Sequence, residues 1–239
     1  GSFDIAVSGD YALLTGGSDG FEILNISDSS NPRLISSIET PAYNVSVEGS
    51  IAVVTYEDLF GGPLGQGIQV IDISDPTSPF ATASIHGNRD DEIKLKGTKA
   101  YVTSYYDGFQ IFDLSTPTQP RLIGANESIG DVLGFVLSQN YVFAAFDSGI
   151  HIIDISDLTQ PEKVKSVSLP GTTWSIAING SIAYSASDES GVYVMNISDP
   201  TSPRIIANIP IHARNVATHD GHLYVSGRDG LTIFKTIPN

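Results

Sequence analysis

Cysteine is absent, and methionine and tryptophan occur once each, in a chain of 239 residues. Without thiols there is neither a disulfide framework nor a thiolate metal site. An oxidising compartment stays open, because it permits disulfides without requiring them. Positive charge is scarce: 12 lysines and arginines stand against 27 aspartates and glutamates, a net charge of −15. A field of that sign repels phosphate backbones, and no basic stripe offsets it, so neither nucleic acid nor anionic membrane is an expected partner. The acidity suits a soluble, exposed protein, with cation binding as the other use for it. No apolar run approaches the roughly 18 residues that a membrane-crossing helix needs. Gly1-Ser2 reads as a cloning remnant, and a secretory signal would have been removed ahead of it.

What is present is strand composition. Hydrophobic residues make up 41% of the chain, and Val, Ile, Tyr, Phe and Thr are prominent among its residues. One phrase recurs, most fully as IQVIDISDPTSP at Ile68–Pro79, with copies at Phe21–Pro32, Phe109–Pro120, Ile150–Pro161 and Val192–Pro203. A worn sixth copy, LTIFKTIPN, stands at Leu231–Asn239. The column Asn25, Asp72, Asp113, Asp154, Asn196, Lys235 has successive spacings of 47, 41, 41, 42 and 39 residues. Several short strands per unit at a period near forty is the pattern of a propeller. The expected fold is therefore all-β: one domain over 1–239, a six-bladed β-propeller with units near 3–41, 42–88, 89–130, 131–171, 172–211 and 212–239.

Each unit parses into four strands. In the fifth they are expected near Trp174–Ile178, Ile182–Ala186, Gly191–Ile197 and Arg204–Ile209. Asn179-Gly180 between the first two predicts a type I′ hairpin, in which both central residues need positive φ. The next turn ends on glycine in all six units (Gly20, Gly67, Gly108, Gly149, Gly191, Gly230), as a glycine bulge requires. The recurring Ser-Asp-Pro-Thr-Xaa-Pro caps amides and stops the strand. Third strands such as Val70–Ile73 are apolar on both faces, which suits sheets packed against sheets rather than a two-layer sandwich with one wet face. No fourth strand is visible for the sixth unit, so a three-stranded last blade is expected, and an uncovered edge is a pairing hazard.

IQVIDISDPTSP and IHIIDISD (Ile150–Asp157), each preceded by a hairpin such as VSGDYALL (Val7–Leu14), resemble the LVIVD repeat family. These are β-propeller modules found mainly in bacterial and archaeal surface and secreted proteins. The resemblance covers essentially the whole chain and implies an exported, surface-associated protein in an adhesion or binding role. The family pattern often has Arg just before the first strand of a unit. This chain keeps it only at Arg214, with Phe3, Tyr43, Asp91, Leu133 and Trp174 in the other slots.

By analogy with other propellers, the ligand face carries the loops before first strands and between second and third strands. These loops include Tyr43-Asn44, His86 through Glu92, Thr172 through Trp174, His212 through Asn215, Arg228-Asp229, and the glycine-rich insertion Glu57–Gln66 with its Leu59-Phe60 pair. Tyr43, Arg89, Trp174, Arg214 and Phe60 are the expected ligand-binding residues, since aromatics and arginine are the usual interface anchors. Aligned first strands also place Asp4, Asn44, Glu92, Gly134, Ser175 and Asn215 in one column. Five of the six carry oxygen, the donor that a hard cation such as Ca²⁺ takes, so Asp4, Asn44, Glu92, Ser175 and Asn215 are candidate metal ligands as well as candidate channel lining. Gly16–Gly20 matches G-x-S-x-G, yet strands flank it where a nucleophile elbow needs a helix. His151 in a buried-type strand reads as a core histidine, and His219 and His222 as turn residues.

The reading is a non-catalytic binding or scaffold module, exported or at the cell surface, that takes a protein or glycan partner at the channel mouth. It is expected to need no cofactor, to leave a Ca²⁺ site open, and to be monomeric. The alternative is a Ca²⁺-dependent hydrolase or lyase of the lactone-cleaving six-bladed type, with Asp4, Asn44 and Glu92 as ligands. That rests on analogy of fold.

Overall fold

The computed structural model describes residues 4–57, 65–87, 90–104 and 107–236, with only the backbone of 90 and 91. The chain is a six-bladed β-propeller of antiparallel sheets and divides into two compact units, Gly1–Ala125 and Asn126–Asn239. Every sheet is a meander whose strands pair in chain order.

In the first unit, blade one holds Asp4–Ser8, Tyr11–Thr15, Phe21–Asn25 and Arg33–Ile38. Blade two holds Val45–Glu48, Ile51–Glu57, Gln66–Asp72 and Phe80–His86, and blade three Asp90–Lys96, Lys99–Ser104, Gly108–Asp113 and Arg121–Asn126. In the second unit, blade four holds Gly134–Ser138, Tyr141–Phe146, Gly149–Asp154 and Glu162–Ser168. Blade five holds Ser175–Asn179, Ile182–Ala186, Val192–Asn196 and Arg204–Ile209. Blade six has three strands, Asn215–His219, His222–Gly227 and Gly230–Lys235. The expected strands of the fifth unit thus stand within a residue or so of the observed ones.

In blades two to five the second and third strands are largely buried on both faces, as their double apolar pattern demands, whereas the third strand of blade six is exposed. Gly149–Asp154 is buried except at its last residue, while the fourth strand Arg204–Ile209 is exposed almost throughout. Cores form between consecutive blades. Leu13, Phe21 and Ile23 of blade one pack on Val45, Val54 and Ile71 of blade two. In the second unit Phe143, Ile150 and Ile152 pack on Ile176, Ala183 and Met195, and Val192 and Val194 on Val216, Leu223 and Val225.

The turns carry one correction. Asn179 pairs with Ile182, so the hairpin loop is Gly180-Ser181, and only Gly180 has positive φ, +57°. Gly9-Asp10, Gly49-Ser50 and Gly97-Thr98 behave alike, with +56°, +59° and +59° at the glycine. One positive φ at the first central residue is the type II′ turn, not type I′. Asp220-Gly221, at +45° and +71°, is the loop in which both central residues are positive. All six glycines of the column have positive φ, but the register shifts fall later, against the fourth strands, as between Val70 and Ile71 and between Ile152 and Ile153. At Gly67 (φ +145°) and Gly149 (φ +141°) a Cβ would collide with the carbonyl oxygens of Ile85 and Val167 on the neighbouring fourth strand.

The recurring loop is a pair of Asx turns. Asp72 Oδ1 accepts the Ser74 amide at 2.8 Å, and Asp75 Oδ1 then accepts the Thr77 amide at 3.0 Å and its hydroxyl at 2.7 Å. Asp154 and Asp157, and Asn196 and Asp199, repeat the arrangement. Hydrogen bonds to the ionised form hold Asp75, Asp157 and Asp199 below the usual carboxylate range. Asp113 goes furthest, to about 2, chiefly through the Ser115 amide and then Lys99. Gly16–Gly20 is a hairpin turn, closed by Gly16 N–H donating to the Gly20 carbonyl at 2.8 Å.

Candidate functional site

In the first unit the oxygen-bearing column is engaged within the fold, and at Asp4 it links one blade to the next. Asp4 Oδ2 accepts the Val45 amide of blade two at 2.9 Å, and Oδ1 accepts the Ile5 amide at 2.8 Å. Its cross-strand partner Thr15 is fully buried and donates to the Tyr43 carbonyl at 2.7 Å. Asn44 uses both its main-chain N–H and its Nδ2 on Thr55 Oγ1, at 3.1 and 3.2 Å. Glu92 forms an ion pair with Lys94. Tyr43 is half-buried; burial raises its phenol pKa, and the negative charge of Glu57 adds to the effect. Among the described residues no three His, Asp or Glu side chains cluster in a way that would hold a metal ion.

The second unit is built differently at the same column. Gly134, Ser175 and Asn215 stand opposite Ala145, Ala186 and Ser226. Ser175 makes the equivalent link, accepting the Val216 amide, but at 3.4 Å. The residues just before these strands carry the chemistry. Trp174 and Arg214 are fixed by their amides, which donate to the Ala186 and Ser226 carbonyls at 2.9 and 2.8 Å. This brings the Arg214 guanidinium 4.1 Å from the centre of the Trp174 ring, a cation–π contact. Trp174 Nε1 is buried and has no partner among the described residues.

Arg214 opens onto a pocket of about 510 Å³ lined by Asp188, His212, Arg214, Asn215, Ser226, Gly227 and Arg228. Asp188 is held at φ +47° by a two-way main-chain bridge to Ala213. His212 Nδ1 accepts the Arg228 amide at 2.9 Å, so its proton lies on Nε2, which donates to Asp188 Oδ1 at 2.7 Å. Both ring nitrogens are engaged, and the pair orients the loop rather than presenting a free base. Arg228 meets Glu189 at 3.7 Å with both side chains largely in solvent, so its guanidinium remains open to a ligand.

The structure thus unites Trp174, Arg214 and Asn215 at one site and places Tyr43, Asp4 and Asn44 together at the blade one–two junction. Phe60, with the rest of 58–64, and Arg89 lie outside the described residues. Sequence reasoning passed over Asp188. The available signal was alignment: Ser187–Gly191 occupies the turn that Gly16–Gly20 fills in blade one, and Asp188 replaces Gly17, which bridges to Ala42 in the same way. His151 is buried, bonded to Ser166 Oγ at 2.9 Å and stacked on Phe146 at 3.9 Å. Burial, aided by the charge of Lys163, lowers its pKa to about 4. His219 and His222 lie in the exposed turn.

The fold defines a β-propeller, an architecture that supports a binding or scaffold module in general terms. The LVIVD repeat model matches residues 2–40, 64–85, 89–126, 129–168 and 170–209, and the chain belongs to that family. The unmatched stretches include the insertion in unit two and the worn sixth copy. No curated protein matches the chain. Among solved structures, a chain of the mitotic checkpoint complex aligns at TM-score 0.77 and 11% identity, over 98% of this chain and 74% of that one. The computationally designed Ika8 protein gives 0.75 at 12% identity over 98% and 70%, and a chain of a nidogen/laminin complex gives 0.62 at 12% over 95% and 89%. At such identities the likeness is one of fold.

Proposed function

We propose that this chain is the non-catalytic binding module of an exported or cell-surface protein, taking a protein or carbohydrate partner on the face that carries Trp174 and Arg214. The observation that supports this reading best is the Arg214–Trp174 contact on the rim of the 510 Å³ pocket. It offers a flat apolar body, a planar bidentate cation and a cavity sized for one sugar or side chain. With both His212 nitrogens bonded, this imidazole serves to hold the pocket's shape, which suits binding. Arg214 and Arg228 place two cations at the pocket, which favours a carboxylate group there even though the net charge of −15 opposes anionic partners at long range.

Trp174 is the one tryptophan of the sequence, so its fluorescence reports this site alone. Titration with oligogalacturonate and with an acidic octapeptide should give a saturable change for at least one of them. Arg214→Ala should weaken that probe at least tenfold by calorimetry while leaving the thermal midpoint nearly unchanged. Equal affinity in Arg214→Ala would show that the partner binds elsewhere.

A further inference from the structure

On the reading that the pocket beside Arg214 is the binding site, we infer that it is a subsite for one uronic acid residue of a glycan. The arginines take the ring carboxylate, and Asp188, Asn215 and Ser226 take the ring hydroxyls.

The pocket gathers hydrogen-bonding groups that the protein itself leaves unmet. Trp174 backs the Arg214 guanidinium at 4.1 Å, and no carboxylate among the described residues pairs with it. The side chains of Asn215 and Ser226 line the pocket and have no hydrogen-bond partner among the described residues. Asp188 gives Oδ1 to His212 at 2.7 Å, while Oδ2, on a side chain 37% exposed, has no partner among them. Asp188 also stands where glycine is the easier choice. Its φ is +47°, and the matching residue of blade one is Gly17 at +62°. Aspartate enters that region more readily than most residues, yet less freely than glycine. The carboxylate is therefore kept against a conformational cost, and only one of its oxygens is used by the fold.

Charge and hydrogen-bonding valence then select the ligand. Two arginines line the pocket with one aspartate. His212, accepting the Arg228 amide at Nδ1 and donating from Nε2, adds no formal charge. Glu189 meets Arg228 only at 3.7 Å and in solvent. The lining thus carries one surplus positive charge, which a single carboxylate neutralises and a zwitterionic amino acid does not. A hydroxyl both donates and accepts. It satisfies Asp188, which only accepts, and equally the Asn215 amide and the Ser226 hydroxyl, which do both. An acidic peptide side chain engages the arginines alone and leaves those three groups unmet. A peptide dense in carboxylates is also repelled at long range by the net charge of −15, which a single uronate feels least.

The test follows Trp174 fluorescence, with calorimetry alongside, as the full chain is titrated with D-galacturonate and D-glucuronate. At least one should saturate. Its neutral counterpart, D-galactose or D-glucose, and cyclohexanecarboxylate, which keeps ring and carboxylate without hydroxyls, should each bind at least tenfold more weakly. Asn215→Ala and Ser226→Ala should each weaken the uronate at least threefold and leave cyclohexanecarboxylate unchanged, whereas Arg228→Ala should weaken both; an unchanged thermal midpoint confirms that each variant is folded. Cyclohexanecarboxylate binding as tightly as the uronate, or a uronate indifferent to both alanine variants, would overturn the assignment. An acidic octapeptide that saturates in an Arg214-dependent way where neither uronate binds would overturn the ligand class and leave the binding site standing. Silence from uronates and octapeptide alike would remove the binding site itself.

Discussion

The two units use one structural column for different ends. In the first, Asp4, Asn44 and Glu92 stand at the entrance of the first strands with Thr15, Thr55 and Thr103 across from them. In the second the residues are Gly134, Ser175 and Asn215 against Ala145, Ala186 and Ser226. In the first unit Asp4 accepts amides and cross-links blades one and two, while Asn44 and Glu92 engage Thr55 and Lys94 of their own blades. Where the column residues are small, other groups make the links, as Thr218 Oγ1 does to the Ile178 carbonyl at 3.0 Å and Asp188 to Ala213 through the main chain, and Trp174 and Arg214 flank a pocket.

The largest effect that would sharpen this contrast is on pH stability. The folded second unit holds His151 neutral, with its pKa lowered to about 4, while an unfolded histidine takes a proton near 6.5. The stabilisation is complete above pH 6.5 and declines as pH falls towards 4, by an amount on the order of 2–3 kcal/mol. His151→Gln, compared with the parent by urea unfolding across that range, should flatten the decline. The lowered carboxyl of Asp113 in the first unit acts in a separate window, losing its contribution only as pH falls from 3.8 towards 2.

Next in size is the cross-link itself. Asp4→Ala leaves the Val45 amide, in a residue 5% exposed, without its acceptor and should cost about 1–3 kcal/mol. Ser175→Ala removes a bond of 3.4 Å and should cost less than about 0.5 kcal/mol. Equal costs in urea denaturation would erase the distinction between the units. The smallest expected effect is that of calcium. Because both Asp4 oxygens already serve amides, Ca²⁺ should leave the thermal midpoint of the metal-stripped chain within a degree. A clear rise abolished by Glu92→Gln would instead make the column a cation site.

Much of this was legible in the residues. The Asn25–Lys235 column set the number of blades, the six glycines marked positions of positive φ, and the double apolar strands announced burial on both faces. Asn179-Gly180 misled by one position, because the pairing of Asn179 with Ile182 leaves glycine first in the loop, and a lone sequence does not reveal where a strand pair closes. The polar column was visible too, but not its employment. A carboxylate that satisfies an amide forty-one residues away looks the same in sequence as one awaiting a cation. Trp174 and Arg214 were legible as anchors, whereas Asp188 required knowing that its turn bridges to the next blade.

The paired Asx turns have a consequence for ancestry. Each satisfies its own amides within about six residues, through Asp72 to Ser74 and Asp75 to Thr77 and their counterparts. A turn so self-sufficient can be copied with its strands to a new place in a gene and fold there without further adjustment. Nearest-neighbour packing lets the copy join the array. Lineages carrying this unit can therefore lengthen or shorten by whole repeats, and mutation is left to alter the few positions, such as 174, 188 and 214, that distinguish one copy from the next.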